Sequence, residues 1–124
     1  MGLFRLIYVS KVARHVRFAD VEAITQRAVE HNTENGLTGM LIYTPARFIQ
    51  VLEGEESKIR ETMERIVKDA RHSEIQVVEE RAVERREFAG WAMVARQLSG
   101  LHESDFTTLT AERLHELFRR APQP

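Results

Sequence analysis

One polar residue interrupts a segment that is otherwise apolar, and its side chain is able to hydrogen-bond a ligand. The segment is Phe48–Gly54, and the polar residue is Gln50. In an extended strand alternate side chains share a face, so Gln50 lies between Phe48 and Leu52 on one face. A buried amide without partners costs roughly 1–3 kcal/mol. A polar group is therefore expected opposite Gln50.

Two further polar residues raise the same question. Tyr8 lies in the first predicted strand, and Asn32 lies near the end of the first predicted helix. One interpretation is that these residues and Gln50 satisfy one another or the backbone, as buried polar groups usually do. The other is a bound polar heterocycle, which their order and spacing together favour.

Length and composition limit the classes of protein that the chain can be. Its 124 residues suffice for one domain with an ordinary hydrophobic core. Charged residues make up 30% and nearly cancel to a net charge of −1, so no general attraction to nucleic acid or an acidic membrane is expected. The absence of cysteine excludes disulfides and thiolate metal sites. Because no apolar run approaches a membrane span, we expect a soluble, cytoplasmic protein.

Hydrophobic periodicity and turn residues predict the element order β-α-β-β-α-β-β. Strands are predicted over 3–10, 37–44, 48–54, 75–83 and 88–95, and helices over 20–34 and 57–70. Asp20 is predicted as a cap or first-turn acid of the first helix, and Gly36 as the residue that ends it. This order indicates an α+β, ferredoxin-like fold: a five-stranded mixed sheet with both helices on one face.

The other face of the predicted sheet is also apolar and needs a cover. It carries Ile7, Val9, Ile49 and Val51. Two short C-terminal helices are predicted to cover it, the first with Leu98 and Leu101, and the second, capped by Thr110, with Leu114, Leu117 and Phe118. Leu109 and Leu114 have the spacing of a hydrophobic staple.

Two helices side by side on a sheet leave a slot in which a flat ligand can lie. The first helix would line it with Ile24, Ala28, His31 and Asn32, and the second with Arg65, Ile66 and Asp69, followed by Arg71 and His72. For Arg65 and Asp69 the alternative is an exposed i, i+4 ion pair. Trp91 and Met93, two apart in the fifth predicted strand, are expected to share a face.

Five segments in order resemble the BLUF family, whose members are blue-light sensors that bind FAD. They are Leu-Ile-Tyr8-Val-Ser, His31-Asn32 before Asn-Gly-Leu-Thr-Gly, Leu-Ile-Tyr-Thr-Pro-Ala-Arg-Phe-Ile-Gln50-Val-Leu-Glu-Gly, Ile66-Val-Lys-Asp69-Ala-Arg71-His72, and Arg-x-Phe-Ala-Gly-Trp91-Ala-Met93. The resemblance covers residues 3 to 95. It implies a flavin-binding domain over 1–95, with 96–124 as a helical cap of the same domain.

The resemblance also implies a role for each residue of the slot. Ile24 and Ile66 would pack on the faces of the isoalloxazine ring, and Asn32 would bond its pyrimidine edge. His31, where some family members carry Asn, belongs to the same cofactor-binding set. Arg65 and Asp69 would contact the C2 side and the ribityl chain, and Arg71 and His72 would lie nearer the phosphate.

In the mechanism that the resemblance implies, Tyr8 gives an electron and a proton through Gln50 to the excited flavin. The Gln50 amide is then left rotated or tautomerised, which shifts the absorption slightly to the red. Trp91 and Met93 would transmit the change. The chain resembles the stand-alone members, so we expect a sensor that is not an enzyme, with a separate protein partner and a homodimer or higher oligomer. Its net charge and the spacing of its histidines predict no nucleic acid, membrane or metal partner.

Two other classes compete with a photoreceptor. A small hydrolase of the acylphosphatase type would need an Asn beside Arg14 or Arg17, and none is well placed. A nucleophile made of Ser10 with Tyr8 and His31 lacks an orienting third group. A ligand-sensing or structural domain without flavin would instead pair Gln50 with Asn32. The fold does not choose among these classes, because it hosts many functions.

Overall fold

A computed structural model describes residues 2–98 and 110–120 of the chain. The elements follow the predicted order, with a helix after the last strand. They are β1 (Leu3–Val12), α1 (Phe18–Asn35), β2 (Thr38–Tyr43), β3 (Arg47–Gly54), α2 (Glu56–Ile66), β4 (His72–Val83), β5 (Ala95–Gln97) and α3 (Ala111–Arg120). Within the two described ranges no helix is both long enough and apolar enough to cross a bilayer.

The five strands form one mixed sheet in the order β4-β1-β3-β2-β5, which confirms the predicted sheet. β1 is antiparallel to β3 and β4, and β2 is antiparallel to β3, whereas β5 runs parallel to β2. In the register of β1 with β3, Tyr8 lies directly opposite Gln50. The two polar residues singled out by the sequence are therefore neighbours at the centre of the sheet.

Alternation along the central strands divides the core into two layers. The inner layer contains Leu6, Tyr8, Phe48 and Leu52, with Val21 of α1 and Ile59 of α2. The outer layer contains Ile7, Val9, Ile49 and Val51, with Leu114, Leu117 and Phe118 of α3. The outer face is thus covered by α3. Leu101 and Leu109 of the predicted first C-terminal helix and staple lie outside the described residues, and Leu98 is not helical but buried directly after β5.

The ends of α1 agree with the sequence signals. The backbone N–H of Arg17 donates to Oδ2 of Asp20 at 2.8 Å, so Asp20 acts as a first-turn acid. Gly36 has φ 67°, the left-handed conformation that glycine adopts most readily, and its N–H donates to the carbonyl of Asn32. This helix end places Asn32 in the last turn, where it is 1% exposed.

Two predicted elements differ from the structure. α2 ends at Ile66 rather than Ala70, because the chain turns and the side chain of Asp69 accepts the backbone N–H of Arg71 at 2.9 Å. The fifth strand is Ala95–Gln97 rather than 88–95.

Residues 87–94, called here the segment before β5, are not extended, and their backbone shows why. The N–H of Trp91 donates to the carbonyl of Phe88 at 3.1 Å, and Gly90 has φ 90°, so the chain turns here. As a result Trp91 and Met93 do not share a face, contrary to the prediction. Trp91 packs against the outer layer, 5.9 Å between ring centroids from Phe88, and Met93 lies in the inner layer.

A buried ionic cluster joins the outer layer to the segment before β5. Oε1 and Oε2 of Glu53, which is fully buried, accept the backbone N–H groups of Phe88 at 3.0 Å and Glu87 at 2.7 Å. The guanidinium of Arg5 lies 3.5 Å from Glu53 and 3.0 Å from Glu87. His115 of α3 lies 3.7 Å from Glu87, so α3 is tied to the same segment.

Candidate functional site

Tyr8 and Gln50 form a buried hydrogen-bonded pair on the inner face of the sheet. The hydroxyl of Tyr8 donates to Oε1 of Gln50, and the two residues are 3% and 8% exposed. Their contact follows from the antiparallel register, since side chains that face each other in such a pair lie within reach. The polar group expected opposite Gln50 is therefore Tyr8.

The rest of the Gln50 amide faces the segment before β5. Its Nε2 contacts the sulfur of Met93 at 3.8 Å, and a thioether is a weak acceptor. Asn32 donates from Nδ2 to the carbonyl of Ala92 at 2.7 Å rather than to Gln50. Two polar residues of the site thus contact adjacent residues of one segment. The Gln50–Asn32 pair is not formed, but Tyr8 bonds Gln50 and Asn32 bonds the backbone, as the first interpretation of these polar residues predicted.

The phenol of Tyr8 is held in its neutral form. Burial raises its pKa strongly above the ordinary value of 10.0, and the charge of Asp69 raises it further. Tyr8 therefore keeps its proton at physiological pH. A neutral phenol donating to an amide oxygen is a proton donor with a defined first acceptor.

A cavity of about 300 Å³ lies between α1, α2 and the inner face of the sheet. Its volume is at the lower end of the roughly 300–1,000 Å³ typical of small-molecule pockets. The lining residues are Tyr8, Ile24, Arg27, Ala28, His31, Asn32, Leu41, Phe48, Gln50, Thr62, Arg65, Ile66, Lys68, Asp69, Arg71 and His72. All ten residues named from the sequence for the cofactor slot are in this set.

The turn after α2 holds Asp69 and Arg71 in a closed ion pair. Nη2 of Arg71 lies 2.6 Å from Oδ2 of Asp69, and Nε lies 2.9 Å from Oδ1. The side-chain hydrogen bonds from Arg71 lower the pKa of Asp69. The i, i+4 pair of Arg65 with Asp69 is not formed, because α2 ends before Asp69 and Arg65 contacts His31.

His72 is fixed at both ring nitrogens. Nε2 lies 2.7 Å from the carbonyl of Ile66, and Nδ1 lies 2.7 Å from the hydroxyl of Ser10. The carbonyl can only accept, so Nε2 carries a proton. In the neutral ring Nδ1 then accepts from the hydroxyl of Ser10. The ring centroid of His72 is 6.1 Å from that of Tyr8 and 6.0 Å from that of Phe48.

The sequence did not lead us to predict several of the residues that line the cavity. Arg27 is three residues after Ile24 and four before His31, so helical spacing alone would have placed it on the same face. Lys68 follows Arg65 by three residues in the turn after α2. Together with Arg65 they bring exposed positive charge to the rim of the cavity.

The fold is that of a small ferredoxin-like domain with a cavity between two helices and a sheet. A family profile described as "BLUF: Sensors of blue-light using FAD" matches residues 3–94. The chain therefore belongs to the BLUF family, which confirms the resemblance seen in its sequence.

Relatives and solved structures agree with this assignment. The photoactivated adenylate cyclase subunit beta of Euglena longa is 29% identical over 94 residues, which are 75% of this chain and 11% of that protein. The corresponding subunit of Euglena gracilis is 32% identical over 76 residues, 61% of this chain and 9% of that protein. The chain therefore spans about a tenth of these curated relatives. The structure of BlsA in its photo-activated state is similar with a TM-score of 0.85 at 26% identity, covering 98% of both chains. The dark-state structure of the BLUF protein BlrB has a TM-score of 0.75 at 31% identity, covering 77% of this chain and 73% of that one.

Proposed function

We propose that this protein is a blue-light photoreceptor that binds FAD non-covalently and passes its signal to a separate protein partner. The observation that carries the proposal is the buried Tyr8–Gln50 pair on the floor of the cavity. Membership of a family of blue-light sensors using FAD supports the choice of cofactor.

The residues of the cavity fit an isoalloxazine ring. Ile24 and Ile66, on opposite helices, offer apolar surfaces to the two faces of a flat ring. Among the described residues, the partner of the Nε2 donor of Gln50 is a thioether, so a better acceptor on a ligand would improve its hydrogen bonding. In this arrangement Asn32 would lie at the pyrimidine edge of the ring.

The rim of the cavity fits the polar part of FAD. Arg65 and Asp69 would contact the C2 side of the ring and the ribityl chain, with Arg71 and His72 nearer the phosphates. The ion pair with Arg71 keeps Asp69 as a carboxylate able to accept ribityl hydroxyls. The positive charges of Arg27 and Lys68 favour a diphosphate at the rim.

The mechanism depends on what the Tyr8–Gln50 pair can transfer. When bound, the light-excited flavin supplies a strong one-electron oxidant. Tyr8 would be the electron donor to it, and Oε1 of Gln50, which already accepts the phenol hydrogen bond, would take up the proton. On return of the proton to Tyr8, the Gln50 amide would be left rotated or tautomerised. A change of its donor and acceptor toward the ring would give a small red shift.

The rearranged amide is expected to act on the segment before β5. Gln50 contacts Met93, and Asn32 holds the neighbouring Ala92, so a rotation of Gln50 changes the contacts of this segment. The same segment carries Trp91, in the outer layer near α3. We propose that Met93 and Trp91 carry the signal to α3, as a switch requires an element with two arrangements.

Tyr8→Phe and Gln50→Leu test the mechanism. Both variants are expected to bind FAD, because the cavity keeps its shape, but neither should give the red-shifted state under blue light. Tyr43→Phe is the matched control, since Tyr43 is the only other tyrosine and does not line the cavity. A wild-type-like red shift in Tyr8→Phe would contradict the assignment of Tyr8.

A further inference from the structure

His31 bridges α1 and α2 at the rim of the cavity through both of its ring nitrogens. Nε2 lies 2.8 Å from the hydroxyl oxygen of Thr62, and Nδ1 contacts an Nη1 donor of Arg65. Nδ2 of Asn35 is a second donor, 3.4 Å from Nδ1. Arg65 and His31 both line the cavity, so the bridge is part of its wall.

These contacts allow one protonation state of the ring. A guanidinium has donors only, so Nδ1 must accept and carries no proton. The amide of Asn35 cannot reverse without loss, because its Nδ2 also donates to the carbonyl of His31 at 2.8 Å. The hydroxyl of Thr62 donates to the carbonyl of Lys58 at 2.7 Å, which leaves its oxygen to accept the Nε2 proton. His31 is therefore neutral, with its proton on Nε2.

The net effect of burial and of the charges around His31 also favours the neutral ring. Burial lowers its pKa below the ordinary value of 6.5, and the positive charge of Arg65 lowers it further. Glu34 on α1 and Glu61 on α2 raise it, and Lys58 on α2 lowers it, with the net effect downward. A second proton on this ring is disfavoured both by geometry and by charge.

We propose that His31 is a positioning residue whose neutral ring holds Arg65 against the cavity, so that protonation of this ring weakens flavin binding. The proposal rests on the proposed function of the cavity. A protonated Nδ1–H would face the N–H groups of Arg65 and Asn35 with no acceptor between them. Arg65 must then leave, and its contact with a bound flavin is lost.

The pH dependence has a definite sign. Flavin binds best to the neutral ring, so binding requires the loss of a proton once His31 is protonated in the free protein. Affinity then falls by up to about tenfold for each pH unit below the pKa of the free-state ring. Well above pH 6.5 the ring is neutral and affinity no longer depends on its protonation, since the pKa of His31 lies below that value.

The test is flavin affinity of the full chain from about pH 7.5 to about pH 5, within the range where histidine titrates. FAD and riboflavin are both used as probes, because riboflavin carries no phosphate. Affinity for both is expected to fall as the pH is lowered, and His31→Asn should remove most of that fall. His15→Asn, at an exposed residue outside the cavity, should keep it. A fall for FAD alone, or an unchanged fall in His31→Asn, overturns the proposal.

A second measurement separates this proposal from the proposed function. NMR titration of the His31 ring in the full chain without flavin should show the Nε2–H tautomer and a pKa below 6.5. Arg65→Gln, which removes the neighbouring charge, should raise that pKa. An unchanged pKa in Arg65→Gln, or an Nδ1–H tautomer, overturns the bridge itself. A chain with the expected titration that takes up neither flavin overturns the proposed function and the binding part of this proposal, but not the bridge.

Discussion

Replacing the buried Glu53 by glutamine keeps the shape of the side chain and removes its charge. Glu53 is 0% exposed, and its two oxygens accept from Thr38, Glu87 and Phe88 while facing Arg5. The NH₂ group of glutamine would oppose one of the two backbone N–H groups, which costs roughly 1–3 kcal/mol. Loss of the anion beside Arg5 adds to this cost. The free-energy cost of this lost charge is smaller than for an isolated buried ion pair, because Glu87 still lies 3.0 Å from Arg5.

We therefore expect Glu53→Gln to lower the free energy of unfolding by about 2–4 kcal/mol. In urea the unfolding midpoint should fall by about 1–2 M. Both proteins must be compared at the same FAD concentration, because a ligand of the folded state adds to its stability. The matched control is Glu74→Gln, whose side chain is 70% exposed and 3.8 Å from Lys11, where a surface pair contributes about 0–1 kcal/mol. A midpoint shift in Glu53→Gln no larger than that of the control would show that the buried carboxylate of Glu53 contributes little to stability.

Three other predictions concern helix α3, the phenol of Tyr8, and Trp91 in the segment before β5. Leu117→Ala, at a fully buried position of α3, should cost about 2–5 kcal/mol in urea unfolding; a cost near zero would mean that α3 does not cover the outer face. The Tyr43→Phe variant leaves Tyr8 as the one tyrosine of the chain. Tyr8 should then show no tyrosinate absorbance at pH 10 while the chain is folded. Because the folded-state pKa of Tyr8 is raised, the stability that it contributes should decline as the pH rises above 10.0. Ionisation near pH 10 without unfolding would contradict this assignment. Trp91→Phe should keep the light-induced red shift but alter its dark recovery, measured by absorbance after a blue flash, and complete loss of the shift would show that its role is misjudged.

Alternation and turn residues were sufficient to predict the central sheet. Strands β1 to β3 are short apolar runs bounded by turn residues, and Gly36 marks the end of α1 in both the sequence and the structure. The position of Gln50 among apolar residues predicted a polar neighbour, and the register supplied Tyr8. These features are local, or follow from pairing two adjacent antiparallel strands.

The errors arose where distant contacts override local propensity. Residues 88–95 include residue types that favour strands. The turn at Gly90 and the hydrogen bond from the N–H of Phe88 to Glu53 nevertheless keep this segment from being extended. The parallel pairing of β5 with β2 has no signature in the local pattern. The early end of α2 depends on Asp69 capping the turn through Arg71, which the helical periodicity of residues 57–70 did not reveal.

The sequence predicted which residues line the cavity better than it predicted the contacts that those residues make. All ten residues that the sequence predicted for cofactor binding line one cavity. Helical and strand spacing place those of α1, α2, β1 and β3 on facing surfaces, whereas Asp69 and Arg71 lie in the turn after α2. The partners of Arg65 and Asn32 were not predicted. Arg65 contacts His31 across two helices, and Asn32 holds Ala92, sixty residues away. Such contacts depend on how the elements dock.

We propose above all that a flavin bound beside Tyr8 and Gln50 makes this chain a light sensor. The absorption spectrum of the purified full chain before and after blue light tests this proposal. We expect a flavin spectrum that shifts slightly to the red and recovers in the dark. A colourless protein that also fails to take up added FAD would contradict it and would leave Gln50 as a core amide satisfied by Tyr8.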